Sequence, residues 1–235
     1  MKIIVNLRNI SGAIKSKISF LKPLERKLIR FLVPFVPPWL ETYHLTTMTI
    51  PFGLILIAAS FLARQNLKWL WVSGLMVFCQ YITDILDGEI GRQRKTGLIK
   101  WGFYLDHFLD FVFTSLIIIG YGIVFPQYRS FLEILLMALS GLFIHEALAC
   151  VCLGKYNVAG YYGVGATEIR LLTILSNLLI PFFPQEKLKT IFLVISIILL
   201  SGLAFQVFRT QKRLWREDME KKEAAEKRSK KAVKN

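Results

Sequence analysis

Three stretches of this chain, Tyr43 to Ala63, Trp69 to Thr83 and Thr190 to Phe205, contain no Asp, Glu, Lys or Arg. An α-helix rises 1.5 Å per residue, so about 20 apolar residues span the roughly 30 Å hydrocarbon core of a bilayer. A chain of 235 residues that is 54% hydrophobic has no single soluble core that could absorb several such runs. Residues 102–125, 130–153 and 166–185 supply three further candidate spans. The expectation is an all-α integral membrane protein of six transmembrane helices with short connections.

Charge supports the same count. The net charge of +14 is distributed as membrane topology requires rather than as a nucleic-acid surface. With six spans, one side receives Lys2, Arg8, Lys15, Lys17, Lys22, Arg26, Lys27 and Arg30, then Arg92, Arg94, Lys95 and Lys100, then Lys155 and Arg170, and finally the basic tail from Arg209. The other side receives only Arg64, Lys68, Arg129, Lys187 and Lys189. The positive-inside rule then places both termini in the cytoplasm. Met1 to Phe20 mixes basic and polar residues without a compact apolar region, so the first span is expected to act as the insertion signal. The three cysteines, Cys79, Cys150 and Cys152, lie in apolar stretches and read as small hydrophobes.

Three regions follow. Residues 1–38 form an N-terminal segment in which Ile18, Leu21, Leu24, Leu28, Ile29 and Leu32 recur at helical spacing, the mark of an amphipathic helix on the cytoplasmic leaflet. Pro34, Pro37 and Pro38 end it. Residues 39–209 form the six-helix domain, and residues 210–235 a basic, solvated tail.

Charge inside the spans is concentrated in one place. Asp84 and Asp87 are three residues apart and Asp106 and Asp110 four apart, so each pair occupies one face of its helix. Consecutive spans run antiparallel, and counting at 1.5 Å per residue brings both pairs to a common depth roughly 10 Å below the cytoplasmic surface. An aspartate at a span centre costs about 2.5–3.5 kcal/mol on insertion scales, which makes such residues functional candidates. Carboxylate oxygens suit hard divalent cations that also bind phosphate, and two such ions offset four negative charges. Gly88 and Gly91 leave room for close approach to the backbone, and Arg92 offers a fork suited to phosphate.

The segments D-I-L-D-G-E-I-G-R and G-F-Y-L-D-H-F-L-D resemble the signature of the CDP-alcohol phosphotransferase (CDP-alcohol phosphatidyltransferase) family, D-x-x-D-G-x-x-A-R followed by G-x-x-x-D-x-x-x-D. Gly91 stands where that family has alanine, and the spacer between Arg92 and Gly102 is at the long end of its range. The resemblance implies transfer of a phosphoalcohol group from a CDP-linked donor to an acceptor alcohol, with release of CMP. It implies that Asp84, Asp87, Asp106 and Asp110 hold two Mg²⁺ or Mn²⁺ ions, that Gly88, Gly91 and Arg92 meet the cytidine diphosphate, and that Asp110 is the general base. It also implies a homodimer.

Other residues carry two readings each. His107 makes D-H-x-x-D, which resembles the choline and ethanolamine branch; it either shares the base role or packs between helices. Thr46 either touches the nucleotide or bonds back to its own helix. Thr167, Glu168 and Arg170 form T-E-I-R, in which Arg170 meets a donor or acceptor phosphate, or pairs with Glu168 or a lipid head. His145 and Glu146 either help form an acceptor pocket or fix helix packing. The donor is either CDP-diacylglycerol, with a polar alcohol as acceptor, or a CDP-linked head group, with diacylglycerol as acceptor. Two competing functions are a cation or substrate carrier, which would place its carboxylates near the midplane, and a membrane prenyltransferase, which would need more spans.

Overall fold

The computed structural model describes residues 22–94, 99–153 and 166–232, and among them every regular element is helical. In chain order these are α1 (Lys22–Leu32), α2 (Thr42–Thr47), α3 (Thr49–Ala63), α4 (Leu70–Arg94), α5 (Ile99–Val124), α6 (Arg129–Leu153), α7 (Ala166–Leu179) and α8 (Gln185–Ala232). Five segments are long and apolar enough to cross a membrane: Thr42–Ala63, Leu67–Arg94, Lys100–Val124, Pro126–Leu153 and Gln185–Lys227. The remaining candidate, the expected fifth span over residues 166–185, is shorter. Its α-helix has 14 residues, continued by a 3-10 turn over Ile180–Phe182. Pro181 explains the change, since it has no N–H for the i−4 carbonyl and obstructs further α-helix.

Small residues set the helix contacts, as expected where lipid is as apolar as leucine and close packing drives association. A Cβ on Gly53 of α3 would lie 2.7 Å from Leu116 of α5, and one on Gly120 of α5 would lie 2.6 Å from the Ser60 hydroxyl of α3. Gly74 of α4 accepts Asn177 of α7 in the same way, and Gly141 of α6 accepts Leu203 of α8. The helices therefore associate as α3 with both α4 and α5, α4 with α7, and α6 with α8. The two aspartate-bearing helices, α4 and α5, make little direct backbone contact, and the carboxylates stand in the gap between them.

At one end of this bundle α1 lays Leu28, Ile29 and Leu32 against Leu45 of α2 and against Tyr81, Ile85, Leu86 and Ile90 of α4. At the opposite end Phe125, Leu132, Leu188 and Phe192 join a second buried cluster. Among the described residues α8 continues unbroken past residue 209 to Ala232, 48 residues in all.

Candidate metal and phosphoryl-transfer site

The gap between α4 and α5 is filled by carboxylates. Asp84 of α4 and Asp106 and Asp110 of α5 each present an oxygen, and these oxygens lie within 4.8 Å of one another. Three acidic groups so close repel strongly unless countered. Arg170, one turn into α7, donates to both Asp84 and Asp110, the latter at 2.7 Å. Gln80, one turn before Asp84 on α4, donates to the same Asp110 oxygen at 2.9 Å. Arg170 is held there because α7 lies along α4, with Gly74 of α4 admitting Asn177.

The fourth aspartate is engaged differently. Asp87 is buried, and the Thr46 hydroxyl donates to its Oδ2 at 2.5 Å. That hydroxyl also reaches the Thr42 carbonyl at 3.1 Å, so it bonds back to its own helix as well as to an aspartate of α4. Two devices position it. Glu41 and His44 form a reciprocal cap at the start of α2, with the His44 amide donating to the Glu41 side chain and the Glu41 amide to His44 Nδ1. Arg94, at the end of α4, donates to the carbonyls of Pro37, Pro38 and Leu40 and thereby ties the segment before α2 to the helix that carries Asp87.

The glycines of the motif face open space. Gly102 has nothing within 4 Å of where a Cβ would sit, and at Gly88 the nearest group is the Arg92 guanidinium at 3.4 Å. Packing inside the chain therefore accounts for neither absent side chain. Arg92 is exposed and paired with Glu89 at 2.8 Å, which leaves its guanidinium at the rim over Gly88. Gly91, one turn past Asp87, is partly exposed at the same end of α4.

His107 turns toward its own helix. Its Nδ1 donates to the Phe103 carbonyl at 2.8 Å and its ring lies 4.3 Å from that of Phe103, while Asp106 is 3.8 Å from Nδ1. That bond makes Nε2 the acceptor atom of the neutral ring. Glu168 is half buried in the first turn of α7, and the neighbouring Thr167 hydroxyl donates to Glu25 of α1 at 3.1 Å. His145 stands on α6 with Nε2 3.5 Å from the Thr210 hydroxyl of α8. Neither His145 nor Glu146 joins the carboxylate cluster.

Two contributors escaped the sequence reading. Gln80 is the lone amide in the charge-free run 69–83, one turn from Asp84 on the same face, and that spacing was the available signal. Arg94 sits among Arg92, Lys95 and Lys100, where composition marks it only as topological charge.

The donor set fits a hard divalent cation: the residues that would hold it offer oxygen atoms only, from two helices, and the missing side chains at Gly88 and Gly102 would leave room for phosphate oxygens beside them. Comparison with known proteins agrees in kind. A lysylphosphatidylglycerol biosynthesis bifunctional protein LysX from Mycolicibacterium gilvum (strain PYR-GCK) is 30% identical over 92 residues, a match covering 38% of this chain and 8% of that protein. The family model for CDP-alcohol phosphatidyltransferase matches residues 42–212, from the start of α2 to beyond the apolar part of α8 and including every aspartate of the cluster. This chain belongs to the CDP-alcohol phosphatidyltransferase family.

Proposed function

We propose that the protein is a membrane enzyme of phospholipid synthesis that transfers a phosphoalcohol group from a CDP-linked donor to an acceptor alcohol and releases CMP. The observation that carries this reading is the meeting of Asp84, Asp106 and Asp110 oxygens within 4.8 Å at a face left open by Gly88 and Gly102. Asp84, Asp87, Asp106 and Asp110 are the residues that would hold divalent cations, two Mg²⁺ or Mn²⁺ ions in this reading. Bound there, such ions polarise the phosphoryl group and balance charge on the attacking and leaving oxygens.

The chain's own groups divide the remaining work. Arg92, above Gly88, meets the diphosphate at the rim, where a planar guanidinium pairs two phosphate oxygens at once. Gly88, Gly91 and Gly102 let the nucleotide lie against backbone. Asp110 takes the acceptor hydroxyl proton as its oxygen bonds to the β-phosphorus; the bond from that phosphorus to the bridging oxygen breaks, and CMP leaves with the electron pair. Gln80 and Arg170 hold the Asp110 carboxylate in place and leave an oxygen to accept that proton. Arg170 is also the group that a phosphate arriving at the cluster would engage. His107, bound back to Phe103 and 3.8 Å from Asp106, helps to orient the acceptor rather than replacing Asp110.

The topology of this reading keeps six spans, with both termini and the site on the cytoplasmic side. The 14-residue α7 and the 3-residue turn after it extend about 27 Å, close to a hydrocarbon core of roughly 30 Å. Residues 1–38 form the interfacial segment, 39–209 the catalytic domain and 210–235 the cytoplasmic extension, and the assembly is a homodimer on resemblance alone. A donor labelled in its β-phosphate tests the chemistry: the label should pass to the acceptor and leave CMP unlabelled. Labelled CDP or labelled inorganic phosphate as the sole product would overturn the assignment.

A further inference from the structure

Below the carboxylate cluster lies a cavity of about 490 Å³, enclosed by α4, α5, α6, α7 and α8. Its mouth is Gln80, Asp110 and Arg170, the groups that surround the reacting oxygen in the reading above, and from there its walls are almost wholly aliphatic and aromatic. Four hydroxyl residues interrupt those walls: Thr173, whose hydroxyl is bonded to the Ile169 carbonyl, Thr114, Ser176 and, at the floor, Tyr121. The far end is closed by rings. Phe192 lies 6.0 Å from Tyr121, 6.3 Å from Phe125 and 6.1 Å from Tyr128, and Leu188 is buried beside them.

Between mouth and floor the distance is set by α5: from Asp110 to Tyr121 is 11 residues, about 16 Å. A cavity of that depth and volume has room for an apolar chain. The side is open as well. Although consecutive, α7 lies along α4 and α8 along α6, so the two diverge; Leu172 and Leu175 on one and Ile195 and Ile198 on the other both line the cavity and remain exposed. A chain can slide in laterally at bilayer depth without its head leaving the level of Asp110.

We infer that this cavity takes an apolar chain of the lipid substrate and that Tyr121, Leu188 and Phe192 at its floor set the length of chain accepted. The inference rests on the transferase reading for the position of the lipid head, but the pocket can be tested without turnover. Purified protein in nanodiscs is irradiated with two probes, diacylglycerol and CDP-diacylglycerol, each with a photoreactive group at the end of one chain, and the labelled peptides are mapped by mass spectrometry. The probe that labels peptides containing Tyr121, Leu188 or Phe192 identifies which of the two lipids supplies the chain. Ile195→Trp, at an exposed wall position, should weaken that labelling about tenfold, the loss of roughly two buried methylenes. Tyr121→Ala should move the label, and the preferred substrate chain, to longer lengths.

Labelling confined to the outer faces of α3 and α6, or left unchanged by Ile195→Trp, would overturn the inference, as would a second copy of the chain found cross-linked over the cleft. Floor labelling without any CMP release would keep the chain pocket and remove the transferase reading. CMP release with labelling elsewhere would do the reverse.

Discussion

Replacing Arg170 by Gln removes the guanidinium that bonds to Asp84 and Asp110 across the gap between α4 and α5. The three side chains keep only 16%, 21% and 27% of their surface exposed, so water screens them weakly. Deleting one partner of a buried ion pair costs roughly 3–5 kcal/mol, because the charge left behind loses its compensation. The glycine-lined face of the cluster admits water, which sets the expectation near the lower figure, about 3 kcal/mol. At roughly 2–4 °C per kcal/mol for a chain of this size, melting in detergent with EDTA should fall by about 6–12 °C. Saturating Mg²⁺ should then stabilise Arg170→Gln more than it stabilises the wild type, since a cation at the carboxylates replaces the lost charge. Arg170→Lys keeps the charge without the two-pronged geometry and should recover part of the loss. Thermal unfolding of the three proteins with EDTA and with Mg²⁺ reads all of this. If Arg170→Gln melts with the wild type in EDTA, or gains no more from Mg²⁺, Arg170 is not the counter-ion of the cluster.

Three further outcomes are expected. Thr46→Val removes a hydrogen bond to a buried carboxylate, worth about 1.5–3 kcal/mol when the acceptor is charged, and should lower kcat/KM for CMP release by roughly 10–100-fold. Gly102→Ala meets nothing within 4 Å, so its melting temperature should stay with the wild type while the KM for the CDP-linked donor rises; an unchanged KM would show that no ligand uses that space. Gly120→Ala places a methyl 2.6 Å from the Ser60 hydroxyl and should destabilise the α3–α5 contact by about 1–3 kcal/mol, a loss that Ser60→Ala in the same chain should partly restore on thermal melting.

The spans and the aspartates were readable because each leaves a local trace. A charge-free run of about 20 residues reports membrane depth directly, and spacings of three and four put Asp84 with Asp87 and Asp106 with Asp110 whatever the tertiary contacts are. What stayed hidden depends on which helix lies beside which. Arg170 is 86 residues from Asp84 and 60 from Asp110, and only the packing of α7 against α4 brings it to them. The same contact geometry separates the four aspartates into a cluster of three and an Asp87 held by Thr46, a division that spacings of three and four on two helices do not disclose. Arg94 was hidden for another reason: in a run of sequence rich in basic residues, its bonds to three carbonyls have no compositional mark. The shortness of α7 was partly visible in Pro181, but the hydropathy of residues 166–185 outweighed it.

The central claim is that Asp84, Asp106 and Asp110 form a cation-dependent centre for phosphoryl transfer with Asp110 as its base. Its most direct measurement is the initial rate of CMP release from CDP-linked donors, with Mg²⁺ or Mn²⁺ and with EDTA, for the wild type and Asp110→Asn. The account predicts release that stops in EDTA, returns with added cation, and falls by roughly 10²–10⁴-fold in Asp110→Asn, the usual contribution of a positioned general base. CMP release that persists in EDTA, or an Asp110→Asn protein that turns over like the wild type, would contradict it.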